Sequence, residues 1–183
     1  MEKYIALLRG VNVGGKNQVA MAEMKQHLLD FGFTNVQTYI NSGNVLFTSE
    51  VQKIEILTAL IETLITEHFG IKIPVLVIQV TEFADILAHA PSWWPTDDKE
   101  ITNNAIFVLP PSTTHDILTT IGPNLVVNEQ IAHYKNVLFW SAPRQLVKQT
   151  RWAKIANTAI NQQVTVRNGN TTVKLLTLAQ KSG

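Results

Sequence analysis

Val36-Gln37-Thr38-Tyr39-Ile40-Asn41-Ser42-Gly43-Asn44-Val45-Leu46-Phe47-Thr48 decides the architecture of this chain. Two short runs rich in β-branched and aromatic residues flank Asn41-Ser42-Gly43-Asn44, whose composition is that of a hairpin turn. A hairpin at this point makes the sheet antiparallel and rules out the parallel sheet of a doubly wound nucleotide-binding fold.

Upstream, residues 3 to 9 read as a buried strand. Met21, Met24, Leu28 and Phe31 then recur at helical spacing, and Gly32 stands where a C-cap glycine belongs. Downstream, Ser49 and Gln52 form a capping-box pattern for a helix with Ile54, Leu57, Ile61, Leu64 and Ile65 on one face, ending at Gly70. Residues 73 to 80 make a fourth strand, with Pro74 tolerated at its start. The order is strand, helix, strand, strand, helix, strand.

The second half repeats that order. Thr81 is expected to cap a short helix (Phe83, Ile86, Leu87) that ends at Pro91, and residues 91 to 98 read as a connector. Its paired Trp93 and Trp94 are read as covering a core edge, with a partner surface as the alternative. Residues 105 to 109 make a strand, and Ser112 caps a helix ending at Gly122-Pro123. A hairpin follows over 125 to 134 and 137 to 141, turning at Lys135-Asn136. A helical stretch from Gln145 to Ile160, broken near Thr150, shows Trp152, Ile155 and Ala159 on one side. Residues 163 to 167 form a last strand, and Asn170 caps a helix through Val173, Leu176 and Ala179. The expected fold is therefore α+β, with two ferredoxin-like halves (split βαβ, βαββαβ) carrying antiparallel sheets. The boundaries are 1–80 for the N-terminal half, 81–102 for a helix and connector, and 103–183 for the C-terminal half with its terminal helix.

This topology places two polar segments together. In a βαββαβ unit the first two strands run the same way with the third between them. The loop Arg9-Gly10-Val11-Asn12-Val13-Gly14-Gly15-Lys16-Asn17 and the turn Asn41 to Asn44 should then emerge at one end of the sheet.

Composition bounds the chemistry. With 183 residues and 45% apolar content the chain can bury a core. It has no cysteine, which excludes disulfides, thiolate metal sites and cysteine nucleophiles. No signal peptide is read at the N-terminus and no segment has the roughly 20 apolar residues of a membrane span, so a cytoplasmic protein without a membrane partner is expected. After Glu129 there is no acid but eight cations, giving +8, while the other seven basic and all 14 acidic residues make positions 1 to 129 −7. The split suggests an anion-binding face near the C-terminus, or a basic third that pairs with the acidic remainder or with another subunit.

Gly10-x-x-x-x-Gly15-Lys16 matches the phosphate-loop pattern except at Asn17, where Ser or Thr would bind magnesium. No acid lies between positions 4 and 22 to help hold a metal. A looser anion site of backbone amides, Arg9 and Lys16 is expected instead, against the alternative of a plain tight turn. Arg167, Asn168, Asn170 and Thr171 at a strand-to-helix junction offer further groups for phosphate or carboxylate. The five histidines show no metal-ligand spacing, and no nucleophile, acid–base pair or cofactor motif is readable, so no metal, cofactor or catalytic residue is assigned.

Tyr4 to Asn17, Phe33 to Val36, Tyr39 to Val45 and Val164 to Asn168 with Asn170-Thr171 closely resemble the domain of unknown function 1697 family, mostly bacterial proteins without an established activity. The resemblance runs nearly the full length and implies an α+β fold with ferredoxin-like halves. It brings no reaction, cofactor or catalytic residue. Where the family pattern has an aromatic between two asparagines, this chain has Gly169, so no stacking role is implied there.

The expected function is binding of a small anionic or nucleotide-like ligand. Arg9, Gly10, Asn12, Gly14, Gly15, Lys16, Asn41, Ser42 and Asn44 form the site, with Arg167, Asn168, Asn170 and Thr171 joining it if the halves pack with opposite sheet ends together. The alternatives are nucleic-acid binding through the basic third, with Tyr39 and Phe47 as stacking candidates, or a self-assembling module.

Overall fold

The computed structural model describes residues 1–51, 53–123, 126–153 and 158–181; Gln52 and Ile155 lie outside them. Strands β1 (Glu2–Leu8), β2 (Thr34–Tyr39), β3 (Asn44–Ser49) and β4 (Val75–Gln79) form one sheet in the order β2-β3-β1-β4. Strands β5 (Ile101–Val108), β6 (Gln130–Tyr134), β7 (Val137–Pro143) and β8 (Val164–Asn168) form a second in the order β6-β7-β5-β8. Every pairing in both is antiparallel. Both sheets thus have the strand order of a split βαβ unit, and the fold is α+β with two ferredoxin-like halves.

The helices are α1 (Met21–Phe31), α2 (Ile54–Phe69), α3 (Val80–Ala88), α4 (Thr114–Ile121) and α5 (Gly169–Lys181). The chain divides into two compact units, Asp85–Val173 and Met1–Ala84, the latter with the chain from Lys174 onward. The boundary between Val173 and Lys174 falls within helix α5.

In the first unit α1 presents Met21, Met24 and Leu28, and α2 presents Leu57, Ile61, Leu64 and Ile65, to Tyr4, Ala6, Leu8, Val45, Phe47, Val75 and Val77 of the sheet. Ile5, Leu7, Leu46, Leu76 and Ile78 alternate with those positions and are buried as well. Both faces of the sheet are thus withdrawn from water, which accounts for the unbroken apolar run of β1. Phe47 lies within this core against Tyr4 and Phe33 and offers no ring to a stacked base.

Several local expectations are corrected. Phe31 is 48% exposed, because the chain turns at Gly32 (φ 109°) and Phe33 takes the buried place. Ser49 belongs to β3 and its hydroxyl accepts from the Val51 amide, so it caps no helix; α2 starts after Lys53. Helix α3 follows β4 without a break, leaving Thr81 inside it. Thr113 caps α4 in a reciprocal box with Asp116, one residue after the expected Ser112, whose hydroxyl donates to Gln163. Residues 144 to 149 and 159 to 163 form short 3₁₀ turns either side of the break at Thr150. Asn168, and not Asn170, caps α5: its side-chain oxygen accepts from the Asn170 amide at 2.9 Å. The buried face of α5 carries Thr172, Leu175 and Ala179, with Val173 39% exposed. A threonine scores as polar in a hydrophobic pattern, yet Thr172 buries its methyl while its hydroxyl donates to the Asn168 carbonyl.

The tryptophan pair resolves on the core side for Trp94, which is buried edge-on to Phe139 with its indole N–H on the Asn104 carbonyl.

Candidate functional site

The loop after β1 folds on itself. Gly14 (φ 58°) and Gly15 (φ 76°) are the left-handed pair of a two-residue turn, closed by the Lys16 amide on the Val13 carbonyl. The Asn12 amide donates to the Asn17 carbonyl, and the Asn17 side chain donates to Gly10. A phosphate loop needs consecutive amides converging on one anion and a helix starting at its lysine. Here the Asn12 and Lys16 amides are engaged within the loop, and the helix begins only at Met21.

The loop and the β2–β3 turn are joined. The Leu8 amide donates to the Gly43 carbonyl at 2.8 Å. Asn12 pairs with the backbone of Val19 on both sides, accepting from its amide and donating to its carbonyl at 2.9 Å each. The same side-chain nitrogen donates to the Asn41 carbonyl at 2.7 Å. Gly43 (φ 77°) has no room for a side chain: a Cβ would stand 2.5 Å from Val11 and 2.7 Å from Leu8. Asn44, fully buried in β3, donates to the Tyr39 carbonyl and the Ser42 hydroxyl. Asn12, Gly43 and Asn44 therefore build the walls of this corner. Ile40 beside them is a β-branched residue at φ 50°, a backbone region such residues seldom occupy.

These contacts frame a cavity of about 360 Å³ lined by Asn12, Gly15, Gln18, Val19, Ala20, Met21 and Asn41. Ala20 at the start of α1 offers no capping side chain, so the first-turn amides need an acceptor from elsewhere. Lys16 is exposed next to Gly15, and Arg9 is half-buried with its amide on the Pro74 carbonyl. Of the residues expected from sequence, Asn12, Gly15 and Asn41 meet in this cavity. Gln18 and the bare helix start were not foreseen. The legible signal was an apolar Ala20 where a helix would ordinarily carry Ser, Thr, Asp or Asn.

Arg167, Asn168, Asn170 and Thr171 belong to the second unit. Arg167 is buried, which lowers its pKa to about 10, and it donates to the Thr165 hydroxyl and the Val166 carbonyl. At Gly169 the place of a Cβ is filled by the Asn103 side-chain oxygen, with Pro95 close by. The residue is glycine here because neighbouring atoms occupy the space a ring would need.

The basic third is dispersed by the fold. Arg151 and Arg167 are buried, Lys135 meets Asp85 at 2.8 Å, and Lys174 and Lys181 fall in the first unit. The second unit holds seven basic and six acidic residues, net +1, and the first eight of each, net zero.

A larger groove of about 660 Å³ runs along α2 past Glu62, Thr66, Glu67 and Lys72. Two of these side chains are already engaged: the Glu62 carboxylate accepts from the Val75 amide and the Thr66 hydroxyl donates to carbonyls of Glu62 and Ile71. Among the described residues no three His, Cys, Asp or Glu side chains group to hold a metal. His27 and His68 instead stack on each other at 3.6 Å, and His89 stacks on Tyr134 at 4.1 Å. Among the described residues, no helix is long and apolar enough to cross a membrane.

The chain is similar along its whole length to a solved structure, the conserved bacterial protein SP0830 from Streptococcus pneumoniae. The two share 28% identity and a TM-score of 0.84, over 97% of this chain and 98% of that one. No curated protein matches. A family model described as a protein of unknown function, DUF1697, matches residues 1–139 and so takes in β1, α1, both turns of the cavity and the sheet around them. On that match the chain belongs to the DUF1697 family.

Proposed function

We propose that this protein binds a small anionic, nucleotide-like ligand in the cavity between the β1–α1 loop and the β2–β3 turn. The supporting observation is that a 360 Å³ cavity opens at the uncapped first turn of α1. That volume lies at the lower end of the roughly 300–1,000 Å³ typical of small-molecule sites. Helix N-terminal amides and the helix dipole favour negative charge, and Lys16 adds a mobile cation at the rim. No lining residue titrates, so the reading is one of binding, with no reaction assigned. The proposed setting is the cytoplasm.

A thermal-shift titration with inorganic phosphate and with adenosine monophosphate tests this. Ligand bound only by the folded state raises Tm with concentration. Ala20→Asp supplies an internal carboxylate to the same amides, at a position whose extended backbone (φ −69°, ψ 106°) suits a cap. It should raise the melting point of the free protein and abolish the ligand-dependent rise. A wild type that shows no rise with either compound overturns the proposal.

A further inference from the structure

His27 on α1 and His68 on α2 meet across the helix pair of the first unit, their rings nearly parallel (13°) with centroids 3.6 Å apart. No spacing in the sequence announces them, because each sits on a different helix. Phe69 stands edge-on to His27 at 5.9 Å and braces that ring. Among the described residues, no ring nitrogen of either histidine has a hydrogen-bond partner. His89 differs, since its Nδ1 lies 2.9 Å from the Asp85 carbonyl oxygen. His27 is half-buried and His68 exposed, so an ion can reach the pair from solvent. His68 also lies in the last turn of α2, where the helix dipole favours positive charge. Imidazole nitrogens suit zinc, nickel and copper, and they bind zinc at about 2.0–2.1 Å. Two such nitrogens at a tetrahedral angle stand about 3.3 Å apart, close to the separation of these rings. A half-turn about Cβ–Cγ exchanges the edges of an imidazole and leaves its plane in place, so both rings can present a nitrogen on one side. Neither ring lines the cavity at the start of α1.

We infer that His27 and His68 bind a divalent first-row transition cation, with zinc as the reference case, and so clamp α1 to α2. Among the described residues no third His, Cys, Asp or Glu groups with them, which leaves the other coordination positions to water. Thermal melts of the full chain with Zn²⁺, Ni²⁺ and Mg²⁺ test the site. Zinc and nickel should raise Tm with concentration, and magnesium, which takes oxygen ligands, should not. Loss of an outer partner alone costs a metal site about 10–100-fold, so His27→Ala and His68→Ala should each weaken zinc about tenfold or more. The metal-free melt of each variant checks that it folds, and His68→Ala, at an exposed position, carries the test alone if His27→Ala does not. His115→Ala and His133→Ala, both at exposed positions, should leave the rise unchanged. No rise with zinc or nickel overturns the site. A rise that survives intact in His27→Ala or His68→Ala, or that is lost in either of the other two variants, places the ion elsewhere and overturns it as well.

Discussion

The Asn12 side-chain amide donates to the Asn41 carbonyl at 2.7 Å, joining two loops 29 residues apart. With its two bonds to Val19, this one side chain fixes the approach to α1 and one wall of the candidate cavity.

Replacing Asn12 should therefore act on stability first. Asn12→Ala removes three hydrogen bonds and places a Cβ-bearing residue of lower left-handed tolerance at φ 55°. A loss of about 2–3 kcal/mol in urea unfolding is expected. Asn12→Gly, which relieves the backbone term only, should recover about 1 kcal/mol of it. A loss below about 0.5 kcal/mol would show that the side chain does not hold the loop.

Two glycines of the same corner should behave differently. Gly43→Ala meets Val11 and Leu8 at impossible distances as well as an unfavourable φ, and should cost about 3 kcal/mol or more. Gly14→Ala meets nothing within 4 Å and should cost only the conformational penalty of about 1–2 kcal/mol. Equal losses in denaturation would remove the steric argument at Gly43.

In the second unit, Gly169→Ala should destabilise through its clash with the Asn103 amide. Asn103→Ala clears that space while losing one bond to the Thr96 carbonyl. Because the double variant no longer has the amide that the new Cβ meets, it should be more stable than Gly169→Ala alone. A coupling of about 1 kcal/mol or more across the double-mutant cycle is expected. Strict additivity would mean that the two sites do not share that space.

The hydrogen bond from Lys135, helped by Tyr134 and His89, holds the Asp85 carboxyl below its usual pKa. A depressed carboxylate pKa contributes stability that is present above the ordinary value near 4 and lost as pH falls through the folded-state value. Wild type should exceed Asp85→Asn in stability at neutral pH, and the gap should close as the pH drops below about 4. A gap independent of pH between 2 and 7 would assign the effect to packing. Added salt should narrow it at neutral pH, since the cluster is exposed.

Much of the fold was legible because it is written in short windows. The hairpin around Asn41 to Gly43, the glycine stops at Gly32, Gly70 and Gly122, and the repeated element order all follow from turn chemistry and apolar spacing. From that order the meeting of the Arg9–Lys16 loop with the β2–β3 turn follows as well, since strand order in a βαββαβ unit leaves them one sheet end. Cap positions were less legible. Ser49, Ser112 and Asn170 each carry a capping side chain, yet a neighbour one or more residues away, or a continuing strand, took the role.

By itself, the sequence determined the two split βαβ units and, in the first, the corner where two polar loops gather, because periodicity, glycine and turn residues act locally. Which groups in that corner face outward was decided only by the tertiary structure. Asn12 and Asn44 turned inward onto carbonyls, Gln18 and Asn41 kept their amides exposed, and the cations after Glu129 were divided between units or buried. The physical reason is that availability for a ligand depends on what each polar group already bonds to, and a bond such as Asn12 to Asn41, 29 residues apart, forms only once the chain has folded.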